Sequence, residues 1–233
     1  MLRNDTFLDR YIGVELLKRN KLEREGHVSS GRLSASSLGN PLQWQILHFL
    51  GVETKPIDEY VIRKMIRGVE IEDWFLNLAP CVKERQKEVL YRNVIGYVDA
   101  VIDTSEMDFP LGVIPHEIKS VTNMKFKHIV TQSKPDRSHM LQAGLYALAM
   151  GSDHFAINYI AADDLRVKTY VLDTADVKDE IDSIIDKFDA QVLKKTVPLF
   201  EACEPWQSNL VYNNYPEYQK ILEEIPFEAI KPN

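Results

Sequence analysis

The sequence predicts an α/β protein, with a central mixed five-stranded sheet flanked by helices and further helices ahead of it. Three observations carry this. Residues 41–50 and 56–78 hold apolar side chains at helical spacing. After Pro80 the pattern changes to short runs rich in Val, Ile and Tyr, bounded by turn residues. Between those runs lies 135–150, apolar nearly all round, which is the signature of a helix buried against a sheet.

Taken in order, residues 6–20 read as an amphipathic helix. Ser29 to Asn40 form a small, polar loop ending at a helix start, because Pro41 suits a first helical turn. Leu42, Trp44, Ile46, Leu47 and Leu50 then share a helix that Gly51 closes. In the helix over 56–78, the expected inner positions are Tyr60, Ile62, Met65, Ile66, Val69 and Trp74. Val89–Tyr91 and Tyr97–Ile102 read as a hairpin with Gly96 near the bend, and Val113–Val121 as a third strand. A basic connector leads to the helix started by Pro135 and stopped by Gly151. Phe155–Ala161 and Val167–Leu172 are two more strands across the Asp163–Arg166 turn. A charged helix at 175–195 puts Val177, Ile181, Ile184, Ile185 and Phe188 on one stripe, and the tail from Val197 reads as irregular.

At 233 residues the chain fits a single domain: a helical part at 1–80, an α/β core at 86–195 and a tail at 196–233. No run of about 18 apolar residues marks a membrane span, and the N-terminus lacks a secretory apolar core. Two cysteines, Cys81 and Cys203, are too few for a disulfide framework or a four-cysteine metal site. A reduced, cytoplasmic setting is expected. The net charge of −7 argues against a general nucleic-acid coat. Locally the balance reverses: residues 119–139 carry Lys119, Lys125, Lys127, Lys134 and Arg137 against Asp136 alone, as a phosphate-binding surface would.

The chemistry concentrates in Gly96-Tyr97-Val98-Asp99 and His116-Glu117-Ile118-Lys119. Side chains alternate along a strand, so Glu117 and Lys119 share a face while His116 and Ile118 take the other. Adjacent strands lie about 4.8 Å apart, so Asp99 and Glu117 can bind one small cation. Ligation by carboxylate oxygen alone favours Mg²⁺ or Mn²⁺ over zinc. His116 reads as structural, and Asp103, about 13 Å further along the strand, is too far for the same ion. In Gly68-Val69-Glu70-Ile71-Glu72-Asp73, either Glu72 or Asp73 can face the sheet as a further ligand. Gln142 and Tyr146, four apart on the buried helix, share a face. They read equally well as a satisfied core pair or as part of a polar site. Ser34, Ser36 and Ser37 lack a His and Asp pattern for a serine nucleophile, and no phosphate-cradling Gly-x-x-x-x-Gly-Lys loop exists.

Gly96 to Asp99, then Glu117-x-Lys119, then Gln142-x-x-x-Tyr146 resemble the PD-(D/E)XK nuclease superfamily. The likeness is greatest to its RecB-like exonuclease branch, which includes CRISPR-associated and phage exonucleases. Gly68 with Glu72 is similar to that branch's upstream element, and Ser34-Ala35-Ser36-Ser37-Leu38-Gly39 to its N-terminal segment. The resemblance spans roughly residues 30–175. It implies a restriction-endonuclease-like fold and a metal-dependent DNA exonuclease acting in DNA processing, repair or recombination. The alternatives are an endonuclease of the same superfamily, an inactive DNA-binding or recombination-partner module, and a metal-dependent hydrolase of a non-nucleic substrate. It also implies Asp99, Glu117, the Ile118 carbonyl and Glu72 as metal ligands, and Lys119 as the catalytic lysine. Gln142 and Tyr146 would contact DNA or steady the site. The basic segment with Lys125, Lys127, Lys134 and Arg137 would track DNA, with Arg32, Ser34 and Ser36 contributing. DNA, as single strands or duplex ends, is the implied partner, with other recombination proteins and a homo-oligomer admitted, and no membrane. Many members of the branch carry an iron–sulfur cluster on four cysteines. Here Asn40 stands where the early cysteine is expected and the Trp206 region lacks the other three, so no such cluster is expected.

Overall fold

The computed structural model describes residues 7–25, 31–108, 110–201, 214–218 and 223–230. Helices lead the chain: α1 (Phe7–Glu25), α2 (Leu42–Phe49) and α3 (Glu59–Leu78), with a two-residue strand β1 (Leu33–Ser34) between the first two. The hairpin of β2 (Val82–Tyr91) and β3 (Val94–Asp103) follows, then β4 (Val113–Val121), α4 (Asn123–Gln132) and α5 (Arg137–Met150). The chain continues through β5 (His154–Ala161), β6 (Val167–Asp173) and α6 (Ala175–Lys194). A small ribbon of β7 (Thr196–Val197) and β8 (Ile225–Pro226) closes it.

The sheet has six strands rather than five, in the order β1-β3-β4-β5-β6 with β2 on β3. β4 and β5 run parallel across the α4–α5 crossover, while β2–β3, β3–β4 and β5–β6 are antiparallel. This is the mixed, helix-flanked α/β arrangement that the sequence predicts. One cluster of buried side chains joins α2, α5 and α6 to the sheet, with Leu141, Leu145, Phe155, Ile157, Ile181 and Phe188 at its centre. A smaller one seats Ile71 and Leu76 of α3 against Ala100, Ile102, Ile118 and Ile160.

Several local expectations are corrected. The hairpin turns at Arg92 and Asn93, with Tyr91 paired to Val94, so Gly96 lies inside β3 rather than at a bend. Its lack of a side chain serves packing: a Cβ there would stand 2.6 Å from Cε1 of Tyr146. In α3 the buried residues are Ile62, Ile71 and Leu76, whereas Tyr60, Met65, Ile66 and Val69 are exposed. Apolar residues occur all round this helix, and the partner surface picks the stripe that is buried. The basic connector is in part a helix: Thr122 caps α4 by accepting from the Lys125 N–H at 3.4 Å, and Phe126 and Ile129 are buried. Lys125, Lys127 and His128 among few apolar residues hide that short stripe. The tail is less irregular than expected, since Val197, Tyr215 and Ile230 join the main core and Tyr215 meets Trp44 edge-on. Cys203, Trp206 and Tyr212 lie outside the described residues. Among the described residues no helix is long and apolar enough to cross a membrane.

Candidate active site

The ladder on one edge of β3 is interrupted. Leu33–Ser34 of β1 pair with Val94–Ile95, and β4 pairs only with Ala100–Asp103. Gly96 to Asp99 lie in the gap between these two pairings. Asp99 fills it, its Oδ2 accepting the Ile118 N–H at 2.7 Å in place of a backbone carbonyl. In a strand the N–H and C=O of one residue point to the same side, so the Ile118 carbonyl is directed at the same gap. The register Ala100↔His116 sets Asp99 beside Glu117, and Arg85↔Ala100 with Lys87↔Val98 sets Gln86 opposite Asp99 on the other flank. Gln86, Asp99 and Glu117 thus form one row across three strands.

Glu117 is completely buried, at 0% exposure. The Lys119 ammonium rests against its Oε1 as an ion pair and the Tyr146 hydroxyl faces the carboxylate, but no amide or backbone N–H bonds either oxygen. Burial pushes the Glu117 carboxyl up to about 7; the Lys119 charge opposes this and the Asp99 charge adds to it. Asp99 is likewise raised by burial, against the Ile118 N–H, Lys119 and Gln86. Glu72, half-way buried on α3, is raised by burial and by repulsion from Asp99, while its hydrogen bond from Gln86 works against both. Burial alone would lower Lys119, but Glu117, Asp99 and Glu72 outweigh it and lift the ammonium above its ordinary range. Four ionisable groups from α3, β3 and β4 therefore feel one another. Of the two α3 acids it is Glu72 that turns to the sheet, bonded to Gln86 of β2, while Asp73 is exposed.

Gln142 and Tyr146 partner each other, with Nε2 donating to the tyrosine hydroxyl at 2.7 Å. Tyr146 is buried, and burial and then the Glu117 charge raise its hydroxyl. Ser34 Oγ meets Ser36 Oγ at 2.9 Å and Ser37 Oγ at 2.8 Å, a closed cluster where β1 ends. Beyond it, Gly39 packs so tightly on the first turn of α5 that a Cβ would stand 2.5 Å from that of Ser138.

A cavity of about 800 Å³ opens there, lined by Lys125, Lys134, Arg137, Ser138 and His139 among others. The Lys119 charge is felt at His139, which links the cavity to the acidic row. Lys127 and Arg32 are not in its lining. The basic excess is partly offset, because Lys125 pairs with Asp136 at 2.9 Å and Arg137 with Glu180. Asp103 stays out of the row; bonds from Ser105 and Lys83 hold its carboxyl down at about 2.

The residue that sequence reasoning missed is Gln86. It donates to Glu72 Oε1 at 2.7 Å. Its neighbours Arg85 and Lys87 mark only a polar edge strand, and no signal in the sequence singles it out.

Among the described residues no three acidic, His or Cys side chains converge into a ready-made metal cluster. The donor set nevertheless fits a hard divalent cation: carboxylates and a strand carbonyl, with a fully buried carboxylate that no amide or backbone N–H satisfies. In this arrangement Gln86 holds one carboxylate and Lys119 the other.

No protein-family profile matches the chain, and no curated protein is similar to it. Similar solved structures include SSO0001, at 19% identity over 75% of this chain and 86% of that one, with a TM-score of 0.45. An alkaline exonuclease (LHK-Exo) from Laribacter hongkongensis matches at 12% identity over 70% and 91%, with a TM-score of 0.47. A phage-related exonuclease from Haemophilus somnus 129PT matches at 13% over 74% and 98%, with a TM-score of 0.38.

Proposed function

We propose that the chain is a divalent-metal-dependent nuclease that hydrolyses phosphodiester bonds in DNA, working as an exonuclease from strand ends within one nuclease domain. The observation that carries this reading is the buried, hydrogen-bond-poor Glu117 carboxylate set between Asp99 and Lys119. Two buried carboxylates beside a single ammonium are costly, and a divalent cation relieves them. Asp99, Glu117 and the Ile118 carbonyl would hold Mg²⁺ or Mn²⁺, with Glu72 completing the set from α3. When bound, such an ion lowers the pKa of a water and offsets charge on a phosphoryl oxygen.

The remaining work falls to the chain's own side chains. Lys119 keeps its ammonium charged beside the acids and offsets charge that develops on the scissile phosphate. Tyr146, held by Gln142, packs along Gly96 and braces the row from α5. Lys125, Lys134 and Arg137 around the cavity would bind the DNA backbone, and Lys127, Arg32, Ser34 and Ser36 would extend that track. The exonuclease half of the reading rests on the likeness of Gly68–Glu72 and Gln142–Tyr146 to the RecB-like branch.

The test compares end-labelled linear DNA with a covalently closed circle, each with Mg²⁺, Mn²⁺ or chelator. Degradation of the linear substrate alone, and only with metal, is expected. Cutting of the circle would make the protein an endonuclease. Binding without hydrolysis of either would leave a DNA-binding module.

A further inference from the structure

Gln86 has no part in the motifs, yet its geometry ties it to two of the acids. Its amide donates to Glu72 Oε1 at 2.7 Å and counters the charge on Asp99, opposite which it sits in the ladder. An amide carries two N–H donors, so one group can serve two carboxylates. The backbone conformation points the same way. Gln86 has φ +48° inside a strand, a left-handed conformation rare for a residue with a side chain. The regular pairing lapses at this one residue between Arg85 and Lys87. Such strain persists where surrounding contacts impose it, and it gathers at sites that do chemistry.

We infer that Gln86 is a positioning residue: its strained backbone aims an amide that holds the Glu72 carboxylate beside Asp99, ready for a divalent cation. The inference rests on the metal-binding reading above and deepens it. A carboxylate has lone pairs to spare, so Glu72 can accept from Gln86 on one oxygen and face the ion with the other. Partners that orient metal ligands in this way are worth about 10- to 100-fold in affinity.

The test is Mn²⁺ binding to the full chain by titration calorimetry, without DNA, together with melting of the metal-free protein. Glycine accepts the left-handed backbone freely. Gln86→Gly should therefore leave the melting temperature unchanged or higher while weakening Mn²⁺ binding about 10- to 100-fold. Gln86→Asn, which also tolerates that backbone but has a shorter reach, should weaken it similarly and covers a failure of the glycine variant to fold. In a Glu72→Gln background, Gln86→Gly should have no further effect, because the two act as one unit. Mn²⁺ affinity within about twofold of wild type, or tighter, in both Gln86 variants would overturn the inference, twofold lying well below the expected loss. The underlying reading fails in a different way. There, wild type itself shows no Mn²⁺ binding or Asp99→Asn binds as wild type does, and the inference falls with it.

Discussion

His116 and Glu117 are neighbours on β4, both buried, and they meet burial in opposite ways. His116 accepts from the Asn158 amide at 3.0 Å on Nδ1, and Asn158 Oδ1 accepts from Thr169 at 2.8 Å. Burial drives the imidazole down to about 4, so it is neutral across the physiological range, with only Nε2 left without a partner. Glu117, one residue on and facing the other way, meets the Lys119 ammonium and the Tyr146 hydroxyl but no amide comparable to Asn158. Neutral polar groups are satisfied by other neutral groups, whereas a buried carboxylate asks for a cation. One strand thus carries a structural polar row on one face and an electrostatically incomplete one on the other.

Glu117→Gln is the sharpest way to break that contrast. It should abolish Mg²⁺-dependent hydrolysis while stabilising the metal-free protein above pH 7 by on the order of 3 kcal/mol, measured by chemical denaturation. The pH profile should carry the same signature. The folded chain holds a proton on Glu117 that the unfolded chain has released, so metal-free stability falls as pH rises from about 4.5 to about 7. That slope should vanish in Glu117→Gln; its persistence would move the titration to another group.

On the opposite face, Asn158→Leu strands the buried His116 Nδ1 and should cost about 1–3 kcal/mol of stability. Mn²⁺ affinity should not change, and a loss there would couple the two rows. Gly96→Ala forces a methyl into the Tyr146 ring and should cost about 1–3 kcal/mol, read from the same denaturation curves. The smallest effect is expected at the cavity rim. Lys125→Ala with Lys127→Ala should lower the salt slope of DNA binding by about 1 to 2. An unchanged slope would place the DNA path elsewhere.

Much of this arrangement is legible in the chain. Period-two alternation around Val98, Ala100 and Ile102 exposes Asp99 as an interruption, and Glu117 and Lys119 stand out against Ile118 and Val121 in the same way. The all-round apolar run at 140–150 marks α5 as buried. What periodicity conceals is equally specific. Phe126 and Ile129 are too few among cations to declare α4. The exposed Tyr60, Met65, Ile66 and Val69 look as apolar as the buried Ile62, Ile71 and Leu76. The tight turn at Arg92–Asn93 lacks glycine, and so the bend is misplaced onto Gly96.

By itself the sequence determined the α/β class, the main elements and which two strands carry acidic residues, because these follow from local alternation and helical spacing. Only the tertiary structure decided that β1 and β4 leave a gap along β3 for Asp99 and that Gln86 lies between two acids. Such choices depend on register and on which helix face meets the sheet. Both are set by long-range packing, for which neighbouring residues in a chain hold no record.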